Sequence, residues 1–312
     1  MPPFPASKPL GQPLLRKSVG LIPPNLQAAD IEEIAEQITR SRIGGHFWKL
    51  ARTPQMRSGP FGVSAQASVA FDPWPTIEAN PSIVARCDDE IALLAAAAGR
   101  SVLRPGDHHL YSRADLLRRL RAHLAAFDYF DPWNGQPISI PDWIDILADW
   151  RRTIDRNREI SVVCGIAAWK RSALAKHLWC GEAPKFSKRP PEGPSPPGKT
   201  VAVWPSRVSR ADRKRVRVQD GQLVQIEDGF IRSAGLGARL VPPCSIVVDW
   251  SGIYYDPREP SDLERLLADA EFGPDQFAER APVAAHRDEH QHDDGGEIRQ
   301  GGPEFGRHGA ER

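Results

Sequence analysis

The chain has 312 residues, 40% of them hydrophobic and 26% charged, enough polypeptide for two domains of ordinary size with real cores. Its 41 Lys and Arg stand against 40 Asp and Glu, a formal charge of +1, so nothing global directs it to nucleic acid and any binding patch must be local. The 4 cysteines, Cys87, Cys164, Cys180 and Cys244, form no C-x-x-C pair, which argues against a zinc knuckle or a disulfide scaffold and fits a reducing cytoplasm.

Residues 1–28 are proline-rich without periodicity and read as an irregular lead-in. They show no basic segment followed by an apolar stretch, and no apolar run approaches the ~20 residues of a spanning helix, so a soluble chain is expected. Ile31, Ile34, Ala35 and Ile38 recur at helical spacing after Asp30. Residues 45–82 show no clear period. From Asp88 to Ala98 the pattern predicts a helix ended by Gly99, with a strand at 101–103. Ser112 and Asp115 resemble a capping box before the stripe Leu116, Leu117, Leu120, Leu124 and Phe127.

The turn-rich segment 131–137 predicts a boundary between units. After it, Trp143, Ile146, Leu147, Trp150 and Ile154 predict an amphipathic helix whose aromatics belong to a core. Ile160–Cys164, Gly165 and Trp169–Leu178 read as strand, turn and helix; 184–199 reads as a loop; 201–204 and 223–226 read as buried strands. The acidic pair Glu227 and Asp228 therefore stands at the carboxyl end of a strand, where open α/β sheets place ligand sites.

That pair opens the run Glu227-Asp228-Gly229-Phe230-Ile231-Arg232-Ser233, and it is followed by Ser245-Ile246-Val247-Val248-Asp249 and Gly252-Ile253-Tyr254-Tyr255-Asp256. Carboxylates beside apolar strands and glycine turns suit sugar transfer, in which one acid attacks or activates while another carries the proton. Glu227 and Asp228 are the candidate general acid/base groups, and Asp249, at a strand end, can be aimed at an anomeric carbon. Arg232 has the planar fork for a carboxylate or a phosphate. Ser233, Ser245, Tyr254 and Tyr255 are candidates to contact the substrate. Each has a bland rival: a turn-capping Asp249, turn acids at 227 and 228, and a structural ion pair at Arg232. Gly235 and Gly237 read as turn glycines rather than a phosphate loop.

Together these motifs, with D-P-W-N-G, the A-D-W-R-R helix and the A-A-W-K-R turn before them, resemble the capsule polysaccharide biosynthesis family of KpsC and LipA. The resemblance is most specific over 227–267. It implies a retaining β-Kdo glycosyltransferase that moves Kdo from CMP-Kdo to a lipid-linked glycan acceptor, with no cofactor and no metal. It also implies an α/β, Rossmann-like fold: one half of a GT-B-like two-lobed enzyme, with Asp249 as its nucleophile. Where the family often carries Gln ahead of the serine, this chain has Pro242. A cytoplasmic protein of capsule biosynthesis and transport, peripheral at the inner membrane and in contact with capsule assembly proteins, is the implied setting. The basic set Arg207, Arg210, Arg213, Lys214, Arg215 and Arg217 is a candidate for anionic headgroups, against the ordinary reading of a solvated face.

After Phe272 the chain turns polar and rich in Gly and His, with no apolar period, and reads as a disordered tail. Its His286, His290, His292 and His308 match no metal-ligand spacing. The expected organisation is a lead-in (1–28), a helix-rich remnant of a preceding module (29–130), a Rossmann-like acceptor-side domain (131–271) and a tail (272–312) that suggests truncation or a frameshift. Because transfer needs donor and acceptor held together, such a chain is expected to be a weak catalyst or a noncatalytic acceptor-binding module.

Overall fold

The computed structural model describes residues 31–48, 71–132, 135–230 and 243–270, together with the backbone of short strands at 15–17, 56–59 and 62–65. The chain divides into two units, Met1–Asp262 and Leu263–Arg312. The tail expected over 272–312, most of the lead-in, and the 231–242 segment lie outside the described residues. The fold is mixed α/β with parallel sheets.

The amino-terminal core is helical. Helix α1 (Ile31–Ser41) turns Ile34, Ala35 and Ile38 inward, as the i, i+3, i+4, i+7 spacing dictates. The unplaced 45–82 region contributes α2 (Trp74–Ala79), whose buried Trp74 donates its Nε1 hydrogen to the Ile43 carbonyl at 2.9 Å, satisfying the indole's one polar atom. Helix α3 (Glu90–Ala97) is buried almost throughout, and α4 (Arg113–Ala125) buries Leu116, Leu117, Leu120 and Leu124. The capping box at Ser112 does not form: its side chain makes no cap bond, and Asp115 pairs with Arg118 at 2.7 Å.

Helix α5 (Ile140–Arg158) has a true cap. Ser139 Oγ accepts the Asp142 N–H at 3.2 Å, and Pro141 occupies the first turn. Ile144, Leu147 and Ile154 of α5 join the amino-terminal core, so the change of core falls near Glu159 rather than at 131–137. Buried Arg151 anchors this helix through Asp72 and Asp155, both at 2.7 Å, and through the Arg42 carbonyl at 3.1 Å. An apolar cavity of about 220 Å³ remains between these helices, lined by Ile38, Phe47, Leu94, Leu120 and Leu147.

Two small sheets accompany the helices. Strand β1 (Leu15–Lys17) pairs with β6 (Phe127–Tyr129), and β2 (Met56–Gly59), β3 (Gly62–Ala65), β4 (Ser82–Val84) and β5 (Ser101–Leu103) lie side by side in that order. The sheet that positions the candidate site has five strands in the order β11-β10-β9-β7-β8: β7 (Ile160–Cys164), β8 (Phe186–Ser187), β9 (Thr200–Val203), β10 (Leu223–Asp228) and β11 (Ile246–Asp249). All pair in parallel except β11, which runs antiparallel to β10. Strand β8 arises inside the segment read as a loop.

Helix α6 (Ala168–His177) joins β7 to β8 on one side, whereas β9 lies on the other side of β7, so the strand order reverses there. That reversal is the topological switch of open α/β sheets. Every residue of β9 is buried, as befits a strand covered on both faces. Val163, Ala202, Val224 and Ile226 pack with Leu174 of α6 in one core; Cys164, Val201, Val203 and Leu223 pack in another with Val216 of α7 (Arg210–Asp220). Apart from Arg207, which lies in a short 3-10 turn ahead of it, the basic run thus folds as a helix covering the sheet. Helix α8 (Asp262–Asp269) follows at the boundary of the two units.

Candidate active site

Strand β10 leaves its cores at Glu227 and Asp228, the two residues of the strand that are only partly buried. Because side chains alternate along a strand, these neighbours in sequence project to opposite faces. Asp228 shares the face of Val224 and Ile226, beneath α6, and there Lys170 from the first turn of α6 donates to both its oxygens at 2.9 and 2.7 Å. The Lys170 ammonium also lies 4.2 Å from the centre of the Trp204 ring, a cation–π contact that fixes its position. Gly165, at φ 81°, makes the turn from β7 toward α6; a Cβ there would come within 2.9 Å of Val208.

Glu227 shares the other face with Leu223 and Gln225. Burial holds its carboxyl above the usual glutamate range; the Asp228 N–H opposes that shift, the Asp228 charge reinforces it, and Lys170 and the Tyr255 hydroxyl lower it. Tyr255 donates to Glu227 Oε2 at 3.4 Å, and burial and the Glu227 charge push its phenol up to about 12. Tyr254 meets Tyr255 edge-on at 5.3 Å and Phe230 at 5.0 Å. The result is a half-exposed carboxyl with a raised pKa beside an aromatic cluster, the disposition of a proton carrier near an amphipathic ligand.

The antiparallel register sets the remaining candidates. Ile246 lies opposite Asp228, and Asp249 lies opposite Gln225, so Ser245 approaches the carboxylates while Asp249 recedes from them by about two residue steps, ~7 Å along the strand. The Ser245 carbonyl accepts the Gly229 N–H at 2.9 Å, and a Cβ on Gly229 would sit 2.2 Å from Ser245 Oγ; only glycine admits this approach. Asp249 is fully buried. Its Oδ1 accepts the N–H groups of Ser251 at 3.0 Å and Gly252 at 2.8 Å, and its two oxygens share the Asp262 N–H at 3.1 and 3.0 Å. Asp262 in turn accepts from the Trp250 N–H and the Ser251 hydroxyl at 2.8 and 2.5 Å. The expected nucleophile is thus engaged as a loop fastener in this conformation. Arg232 and Ser233 lie outside the described residues. Among the described residues no three His, Cys, Asp or Glu side chains are grouped to hold a metal ion.

Residues 199–293 match the family model described as capsule polysaccharide biosynthesis protein. Over that segment the chain is similar to the capsule polysaccharide biosynthesis family. The family match spans β9, α7, β10, β11 and α8 and runs past the compositional change at Phe272. The capsule polysaccharide modification protein LipA of Neisseria meningitidis is 33% identical over 172 residues, covering 50% of this chain and 23% of LipA. The lipopolysaccharide-processing protein LpsZ of Rhizobium meliloti is 31% identical over 125 residues, covering 36% of this chain and 27% of LpsZ. A solved structure, Thermosulfurimonas dismutans KpsC, beta Kdo 2,4 transferase, is 28% identical with a TM-score of 0.33, covering 42% of this chain and 40% of that one. The chain thus spans about a quarter of the LipA and LpsZ proteins it matches.

Within the capsule-family segment and just ahead of it, Lys170, Trp204 and Phe230 join the site without having been singled out as site residues. Lys170 carried one available signal: a lysine in the first turn of the helix that follows a parallel strand ends up beside the carboxyl ends of that sheet. Its pairing with Asp228, 58 residues away, carried none.

Proposed function

We propose that this chain takes part in Kdo transfer during capsule polysaccharide assembly, with CMP-Kdo as donor and a lipid-linked glycan as acceptor, and that Glu227 is its proton carrier. The carrying observation is Glu227 itself: a half-buried carboxyl of raised pKa at the carboxyl end of β10, inside the segment matching the capsule family. In this reading an acceptor hydroxyl gives its proton to Glu227 as its oxygen bonds to the anomeric carbon of Kdo on the face that CMP vacates, which retains the configuration. The bond from that carbon to the phosphate oxygen breaks, and CMP leaves with the electron pair. Tyr255 orients Glu227, and Lys170 neutralises Asp228 behind it.

A second reading, a noncatalytic acceptor-binding module of the capsule machinery, is favoured by Asp249, whose carboxylate is fully engaged by backbone N–H groups. Incubation of the purified chain and Glu227→Gln with CMP-Kdo and a synthetic lipid-linked Kdo acceptor separates the two. Turnover by the wild type and its loss in Glu227→Gln supports transfer. Acceptor binding without turnover in either protein supports the module, and equal turnover in both refutes the role of Glu227.

A further inference from the structure

We propose that the basic stripe of α7 is a binding site for phosphate groups. Arg210, Arg213, Lys214 and Arg217 recur at i, i+3, i+4 and i+7 of this helix, so they line one side of it. They face a cleft of about 540 Å³ whose other wall carries Asp256, Arg258 and Glu259. Both acids are already committed. Asp256 is paired with Arg258, and Glu259 takes Arg217 in a two-pronged contact at 2.5 and 2.6 Å. Arg215, off the stripe, turns to Asp212 at 3.1 Å and to the Pro191 carbonyl at 2.5 Å.

Among the described residues, the side chains of Arg210, Arg213 and Lys214 make no ion pair and no hydrogen bond. The Nε of Arg213 is shielded from solvent without an acceptor. A desolvated N–H without a partner is unfavourable until an oxygen reaches it. A ligand filling this cleft must offer several oxygens to guanidinium and ammonium donors at once, which matches a phosphate or diphosphate better than a single carboxylate. Gln225 reaches the cleft from the β10 face that also carries Glu227, so the anion site adjoins the candidate active site without sharing its carboxyls. The phosphate could belong to a soluble ester or to a lipid headgroup.

The test uses the full chain, the double variant Arg213→Gln/Lys214→Gln, and a control that removes the same charge elsewhere, Arg118→Gln/Arg119→Gln. Pyrophosphate binding is measured by calorimetry, and co-sedimentation is measured with vesicles of phosphatidylglycerol in phosphatidylcholine. Pyrophosphate affinity at least about tenfold weaker in the cleft variant, and unchanged in the control, supports the site and a soluble ester. Vesicle binding lost only in the cleft variant, with no pyrophosphate bound by any protein, supports the same site and a lipid headgroup. A cleft variant that binds both probes as the wild type does, or a wild type that binds neither, overturns the proposal. If the cleft variant fails to fold, Arg210→Gln/Lys214→Gln, which changes two exposed side chains, gives the same readout. No turnover is measured, so a failure of the transfer reading leaves this result standing.

Discussion

Replacing Asp249 by Asn distinguishes a reacting carboxylate from a structural one. Asp249 is fully buried and accepts three backbone N–H groups, from Ser251, Gly252 and Asp262. Asparagine keeps one acceptor oxygen, removes the charge, and turns an NH₂ toward N–H groups that now meet a carboxylate. Hydrogen bonds to a charged acceptor contribute about 1.5–3 kcal/mol each, so losing one and weakening the others should cost about 3 kcal/mol. The loop has little room to adjust, because a Cβ at Gly252 would already lie 2.9 Å from the Pro260 carbonyl oxygen. For a unit of roughly 150–250 residues this destabilisation lowers the melting temperature by about 6–12 °C. Thermal and urea unfolding followed by circular dichroism measures it. An unchanged melting temperature together with complete loss of transfer would refute the structural assignment and return Asp249 to the reaction.

Three further outcomes are expected. Burial raises the Glu227 pKa, so the folded chain binds this proton more tightly than the unfolded one; the resulting stability is full below the ordinary value of 4.5 and is lost as pH rises through the raised value. The melting temperature of wild type should therefore fall relative to Glu227→Gln over that interval, and parallel pH profiles would contradict it. Lys170→Met removes one of the charges that lower the Glu227 pKa, so carbon-detected NMR titration should find the Glu227 carboxyl titrating higher than in wild type; an unmoved titration would uncouple the two. Arg151→Met strands buried Asp72 and should cost about 3–5 kcal/mol in urea unfolding, most of it recovered in Arg151→Met/Asp72→Leu. If the single variant is as stable as wild type, that ion pair does not anchor α5.

Much of the framework was legible because it depends on local side-chain direction. The apolar spacing of Ile31, Ile34, Ala35 and Ile38, of Leu116, Leu117, Leu120 and Leu124, and of Trp143, Ile146, Leu147, Trp150 and Ile154 predicted three helices; in the last, Leu147, Trp150 and Ile154 are buried as read, together with Ile144, which the pattern missed, while Trp143 and Ile146 are only partly buried. The two-residue strand Phe186–Ser187 was hidden in a Pro- and Gly-rich loop, since its pairing to β7 is made by backbone atoms and leaves no side-chain period. Helix α5 shows the limit of composition. Its stripe was evident, but a stripe does not say which core it enters, and Arg151 with Asp72 ties it to the amino-terminal one.

The site divides along the same line. Sequence alone placed Glu227 and Asp228 at the carboxyl end of a strand, because the apolar run before them is a local property; the structure carries that strand through Asp228, so alternation turns the two carboxyls to opposite faces. Tertiary structure alone decided that Lys170 takes Asp228, that Tyr255 meets Glu227, and that Asp249 is enclosed by the N–H groups of its own loop. Desolvation and ion pairing are set by which distant groups the fold brings within a few ångströms, and that information is absent from the spacing of residues along the chain.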